Sequence, residues 1–366
     1  MYIHERPDWP AFTWEIEQIA YLLAETRHRQ GTLLGRMESL GFSLREEAVL
    51  ETLTLDVIKS SEIEGEMLET SQVRSSIARR LGMDVAGVDV IDRHIEGVVD
   101  MMLDATRHFT HALTEDRLFG WQSSLFPEGR SGMRRIRVGA WRTGDHGPMQ
   151  VVSGGFGKQK VHFQAPDADR VSAEMGAFLQ WFNADQHIDP VLKSAIAHLW
   201  FVTIHPFEDG NGRIARAIAD LQMSRADGTS QRCYSMSAQI RKERNHYYNI
   251  LERTQQGDLN ITAWIVWFLG CLSRSFDSVE ETLQRVHQKS RFWEYAARIE
   301  LNARQRLMLN KILDGFEGKI NSTKWAKITK TSADTSLRDI NDLIVKGIFV
   351  KDISGGRSTS YLLREL

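Results

Sequence analysis

The sequence predicts a mainly α-helical chain, broken once by a β-hairpin and closed by a small C-terminal module. Three observations predict it. Apolar residues recur at helix spacing over most of residues 1–107 and again over about 168–298. Residues 132–166 lose that period, are rich in glycine, and hold two short β-like runs, Gln150-Val151-Val152 and Val161-His162-Phe163. Residues 301–366 then change character, with three short helical patterns followed by two apolar strands.

In the N-terminal region, residues 1–107, Phe12, Ile16, Ile19 and Leu23 share helix spacing, as do Leu50, Leu53, Val57 and Ile58. In the central region, residues 108–298, Asp189 followed by Pro190 reads as an N-cap and a first-turn proline. Val191, Leu192, Ile196, Leu199, Trp200 and Val202 follow, so a buried helix should run to about His205. A second helix should begin after Gly212, with Ile214, Ala217, Ile218 and Leu221 on its inner face. In the C-terminal region, residues 299–366, helical patterns cover 301–313, 325–328 and 336–345. Residues 347–350 and 360–363 then flank Gly355-Gly356 like the strands of a wing, an order that resembles a winged helix-turn-helix.

Composition narrows the function. Of 366 residues, 42% are hydrophobic and 26% charged, ordinary values for a globular protein. A formal net charge of -2 argues against a chain that binds nucleic acid through its overall charge. Two cysteines, Cys233 and Cys271, form neither a metal pair nor a disulfide framework, which suits a reducing cytoplasm. The polar start MYIHERPDWP does not read as a signal peptide, and the apolar run 261–272 is too short to span a bilayer, so no membrane association is expected.

The stretch that carries chemistry is His205-Pro206-Phe207-Glu208-Asp209-Gly210-Asn211-Gly212-Arg213-Ile214-Ala215-Arg216. Gly210-Asn211-Gly212 falls at a helix N-terminus, where free N–H groups and the helix dipole favour an anion. Glycines let the backbone approach a phosphate closely. Arg213 and Arg216 are three apart and share a helix face, so with the turn they make a polyphosphate site. Asp209 offers a carboxylate to a Mg²⁺ that bridges phosphates. His205 is placed to accept a proton from an attacking hydroxyl.

This stretch matches the signature of the Fic family at every specified position. The resemblance implies a Fic-type helical core with a hairpin flap, and transfer of AMP from ATP to a Ser, Thr or Tyr hydroxyl of a target protein. It implies His205 as general base and Asp209 as the Mg²⁺ ligand. Gly210, Asn211 and Gly212 would hold the α- and β-phosphates, Arg213 would contact phosphate, Arg216 would meet the γ-phosphate, and Phe207 would anchor the loop. Tyr248, Leu251 and Gln255, downstream on a Tyr-Tyr-x-x-Leu pattern, are similar to the family's adenine pocket. The run Met149, Gln150, Val151 and Val152 corresponds to the flap, where an extended target segment would add as a strand. Ser60-x-x-x-Glu64-Gly65 fits the family's inhibitory pattern, with Glu64 pairing with Arg216 in place of the γ-phosphate. A homodimer is among the partners considered, since the C-terminal module reads equally as a protein-binding or dimerising unit.

Residues 301–366 hold 12 lysines and arginines against 7 acidic residues, a surplus of +5. That charge suits DNA, read by Thr331, Ser332, Thr335, Ser336 and Arg338, or equally a protein partner. Two rival functions therefore stand beside AMP transfer. One is a DNA-binding regulator with a nucleotide-sensing domain. The other is a Fic enzyme that removes AMP or moves another phosphate-linked group.

Overall fold

The computed structural model describes residues 1–39, 41–83, 91–145, 147–153, 160–185, 187–316, 318–352 and 359–364. The Gly355-Gly356 wing tip expected from the sequence lies outside them. Among the described residues the chain is mainly helical, with three two-stranded antiparallel sheets. The N-terminal region holds α1 (Ile16–Glu38), α2 (Phe42–Ile63), α3 (Thr70–Leu81) and α4 (Arg93–Arg107). The middle holds α5 (Glu115–Leu125), the strand pairs β1 (Arg130–Ser131) with β2 (Arg134–Arg135) and β3 (Gln150–Ser153) with β4 (Lys160–Gln164), then α6 (Val171–Asn183). Next come α7 (Pro190–Ile204), α8 (Asn211–Asp227), α9 (Met236–Lys242), α10 (Arg244–Gln255), α11 (Thr262–Ser275) and α12 (Asp277–Ala296). The chain closes with α13 (Ala303–Leu313), α14 (Ser322–Thr329), α15 (Ala333–Val345), β5 (Phe349–Lys351) and β6 (Tyr361–Leu363). No helix among the described residues is long and apolar enough to cross a membrane.

The first apolar stripe needs correction. Phe12 precedes α1, and Ile16 is exposed. Residues before α1 are fixed instead by distant contacts: Thr13 N–H donates to the Leu259 carbonyl, and Phe12 packs edge-on against Trp9 and Trp200. The buried stripe of α1 is Ile19, Thr26, Gln30, Leu33 and Met37. Helix α7 is as the sequence predicts. The Asp189 carboxylate accepts from Val191 N–H at 2.8 Å, Pro190 opens the first turn, and every residue from Val191 to Ile204 is buried.

One apolar cluster runs from Ile3 to Val286 and a second from Phe292 to Tyr361. Packing shows no break at residue 107, because α4 lies against both α5 and α8. The second core begins inside α12, ahead of residue 299. Charges join the two: Asp314 meets Arg74 of α3 at 3.3 Å and Lys289 of α12 at 2.6 Å, and Lys289 also meets Glu47 of α2 at 2.6 Å. In the last unit the hydroxyls read as DNA contacts are mostly spent locally. Ser332 caps α15 by accepting from Thr335 N–H, its own hydroxyl meets that of Thr335, and the buried Ser336 hydroxyl donates to the Ser332 carbonyl. Helix starts recruit such residues for their orphan N–H groups.

Beneath the α7–α8 pair lies a buried charge network. Arg232 donates to Asp220 at 2.6 Å, lies 3.4 Å from Asp227 and stacks over the Tyr234 ring at 4.4 Å. Tyr234 donates to Asp227 at 2.8 Å, and Asp56 of α2 accepts from Ser235. Burial works against the Arg232 charge, yet Tyr234 and the three aspartates keep its pKa above the ordinary value. Burial and the nearby Asp56 push Asp220 well up. Gln30 of α1 also donates to Asp227, so the network ties α1, α2 and α8 together. Arg232→Met would strand buried carboxylates, a change that costs about 3–5 kcal/mol. Urea unfolding should show a loss of that order, and a loss below about 1 kcal/mol would contradict the network's role.

Candidate functional site

The site forms where α7 ends, α8 begins and the C-terminus of α2 arrives. His205 leaves α7 in the left-handed region, with φ 52° and ψ 57°. Its N–H still bonds to the Phe201 carbonyl at 3.0 Å. The ring Nδ1 lies 3.2 Å from the Val202 carbonyl, which assigns the proton to Nδ1 and leaves the Nε2 lone pair free. Burial, with Arg142 nearby, lowers the His205 pKa to about 4, against the Val202 bond, Asp209 and Glu64. The imidazole is therefore neutral near pH 7 and able to take a proton.

The loop is held from both ends. Phe207 is fully buried, with Trp141 at 5.0 Å and Phe119 at 6.3 Å between ring centroids. The Asn211 side chain clasps the Phe207 backbone, donating to its carbonyl at 2.8 Å and accepting from its N–H at 3.0 Å. Phe207 and the Asn211 amide thus shape the loop from inside, Phe207 as the anchor the resemblance implies, while the Asn211 side chain is engaged with the Phe207 backbone. Arg142, which the sequence reading passed over, donates to the His205 carbonyl at 2.8 Å and to the Pro166 carbonyl. An arginine in an irregular segment carries no period, so no local pattern marks it.

Arg213 and Arg216, on the first turns of α8, are each 2% exposed. Arg216 donates from Nε to the Ser60 hydroxyl and from Nη2 to the Ser60 carbonyl, each at 2.9 Å. Its Nη1 lies 2.8 Å from Glu64 Oε1, an ion pair and not an in-line hydrogen bond. Burial opposes the Arg216 charge, but Glu64, Tyr247 and Tyr248 raise its pKa above the ordinary value. A Cβ on Gly212 would stand 2.2 Å from Glu64 Oε1, so only glycine admits the carboxylate there. Glu64 caps α2 and Gly65 reverses the chain at φ +90°. Gly65 N–H bonds to Glu62 and Glu66 N–H to Ser61, closing a left-handed C-cap.

The turn brings a residue that sequence reasoning missed. Glu66 Oε2 lies 2.6 Å from Arg213 Nη1 and 3.2 Å from His94 Nε2. Its nearest signal was a carboxylate two residues beyond Glu64 across a glycine.

Other expected residues divide. Asp209 accepts from the Ser131 hydroxyl and from Gly210 N–H at 2.6 Å, both neutral donors. A Mg²⁺ that shares phosphates and water needs only one or two protein carboxylates, so Asp209 fits that role. Tyr248 reaches the site and donates to Glu64 Oε2 at 3.3 Å. Leu251 is buried, as is Gln255, whose amide donates to Thr203 at 3.2 Å. In the hairpin, Gln150 pairs with Gln164 and Val151 with Phe163, while Met149 accepts from Ala165 N–H. Strand β3 pairs only with β4 among the described residues, so Gln150, Val151 and Val152 lie on an edge strand. Strand β4 is tied to α10 through His162 and Glu252 at 2.7 Å.

Three comparisons bear on this geometry. Residues 112–223 match the Fic/DOC family model, and residues 2–83 match a domain of unknown function, DUF4172. A protein adenylyltransferase Fic from Culex quinquefasciatus is 27% identical over 265 residues, 72% of this chain and 48% of that protein. Its counterpart from Aedes aegypti is 27% identical over 235 residues, 63% of this chain and 42% of that protein. The chain thus spans about half or less of the curated relatives it matches. The crystal structure of a Fic family protein from Desulfovibrio desulfuricans G20 aligns over 97% of this chain and 98% of that one, at 24% identity and TM-score 0.54, a likeness of fold.

His94 supplies a pH test. The Glu66 hydrogen bond raises its pKa above 6.5, against burial. For Glu66, burial opposes and His94 and Arg213 prevail, lowering its pKa below 4.5. The His94 contribution to stability is whole below pH 6.5 and fades as pH rises through the higher folded value. The Glu66 contribution is whole above pH 4.5 and fades as pH falls through the lower one. The gap in melting temperature between wild type and His94→Gln should therefore be widest from pH 4.5 to 6.5 and shrink by pH 8.5. A gap that does not change over that range would contradict the pairing.

Proposed function

We propose that this chain, whose residues 112–223 match the Fic/DOC family model, is a protein adenylyltransferase held at rest by Glu64. The observation that carries the reading is a neutral His205 with a free Nε2 beside a turn whose two buried arginines face an anion. The turn at Gly210 and Gly212 cradles the α- and β-phosphates of ATP. Arg213 neutralises phosphate charge, and Arg216 takes the γ-phosphate once Glu64 leaves it. Nε2 of His205 accepts the proton of a Ser, Thr or Tyr hydroxyl. The hydroxyl oxygen bonds to the α-phosphorus, the bond from that phosphorus to the bridging oxygen breaks, and pyrophosphate departs. A Mg²⁺ held by Asp209 would offset charge growing on the leaving oxygens. The target segment lies along the free edge of β3 as an added strand.

With Glu64 on Arg216, ATP binds with its triphosphate displaced and the α-phosphorus out of line, a fault worth on the order of 10²-fold in rate. The spent hydroxyls at the start of α15 favour a protein partner over DNA for the last module.

Incubation with α-labelled ATP and a cell lysate tests the reading. Glu64→Gly should label itself or other proteins far more strongly than wild type. Adding His205→Ala should cut that labelling by ~10²–10⁴-fold. Transfer of γ-label instead of α-label, or full labelling without His205, would overturn it.

A further inference from the structure

The turn after α2 presents two carboxylates, not one. Glu64 and Glu66 bracket Gly65, and the reversal at Gly65 sends both toward the first turns of α8. Glu64 meets Arg216 at 2.8 Å and Glu66 meets Arg213 at 2.6 Å. Arg213 is buried with its guanidinium 5.1 Å over the face of Phe126, and among the described residues its Nε has no hydrogen-bond partner. Among the described residues, Glu66 is the one anionic partner of Arg213, the arginine expected to meet phosphate.

Glu66 is also held in place from behind. The oxygen that meets Arg213 is the one that meets His94 Nε2 at 3.2 Å. The other ring nitrogen, Nδ1, lies 3.0 Å from the Leu125 carbonyl at the end of α5. His94 itself sits in the first turn of α4, with its N–H bonded to the capping Asp92 at 2.8 Å. A carboxylate fixed between a rigid imidazole and a buried guanidinium is a preformed stand-in for a phosphate oxygen.

We propose that Glu66 is a second competitor for the anion cradle, occupying Arg213 as Glu64 occupies Arg216. This rests on the reading of the cradle as a polyphosphate site and deepens its regulation. Removing Glu64 alone frees one arginine. The triphosphate gains both only when the whole turn 64–66 withdraws. A signal that activates the protein must then displace the turn as a unit, and not merely shield one glutamate. Losing one carboxylate leaves the other to hold the turn on α8.

Calorimetry with inorganic tripolyphosphate tests this without relying on a base, a ribose or catalysis. The variants are Glu64→Gly, Glu64→Gly with Glu66→Gln, and each of these with Arg213→Ala. Gln keeps the size of Glu66 and its place beside His94 while removing the charge. The Glu66→Gln change should tighten binding at least ~10-fold in the Glu64→Gly background, in line with one charge-assisted contact. The gain should vanish when Arg213 is Ala. Equal or weaker binding after Glu66→Gln, a gain that survives Arg213→Ala, or no binding by any variant would each overturn the proposal. Tripolyphosphate binding that follows this pattern without AMP transfer would sink the transferase reading and leave the competition standing.

Discussion

Arg216 is a permanent cation with almost no access to water, and the site is organised around giving that charge an anion. Its Nε and Nη2 are fixed by the hydroxyl and carbonyl of Ser60, so the side chain cannot swing away from α2. One nitrogen, Nη1, remains for a charged partner, and Glu64 takes it. A buried guanidinium without a counter-ion is costly, so one of two anions must be present. In this account those anions are the glutamate of the chain's own turn and the terminal phosphate of a nucleotide. The close approach permitted by Gly212 is what lets the Glu64 carboxylate reach this guanidinium.

The parts of the site that stay fixed are distinct from the part that yields. His205 is held by α7 and by Arg142, the loop by Phe207 and the Asn211 clasp, and α2 by the buried Asp56–Asp220–Arg232 network. Those contacts are buried and mutually dependent. Glu64 and Glu66, in contrast, lie on a short turn past the end of α2 and are each about one third exposed. The proposed competition would then be confined to a few side chains on a buried floor, with His205 left in place.

Much of this was legible in the sequence because the chemistry is contiguous. Twelve consecutive residues hold the candidate base, the candidate metal carboxylate, the turn and two buried arginines, and a capped, buried helix before them fixed where they would sit. Glu64 was legible for its spacing from Ser60. Arg142, His94 and Glu66 were not, since each acts on a residue far along the chain from an irregular segment or a helix end, where no periodicity marks it. Phe12 misled because its spacing to Ile16 mimics a helix, while its position is set by packing against Trp9 and Trp200. The local hydrogen bonding of the α15 hydroxyls was not legible as such, since Ser and Thr at a helix start serve the helix first.

The central claim is that Glu64 and a γ-phosphate compete for one buried guanidinium, and nucleotide length isolates it. Calorimetry of MgATP and MgADP should be run on wild type and on Glu64→Gly. The account predicts that the substitution tightens MgATP by roughly 10-fold or more, as expected for a charge-assisted contact, and changes MgADP far less. An equal gain for both nucleotides, or none for MgATP, would contradict it.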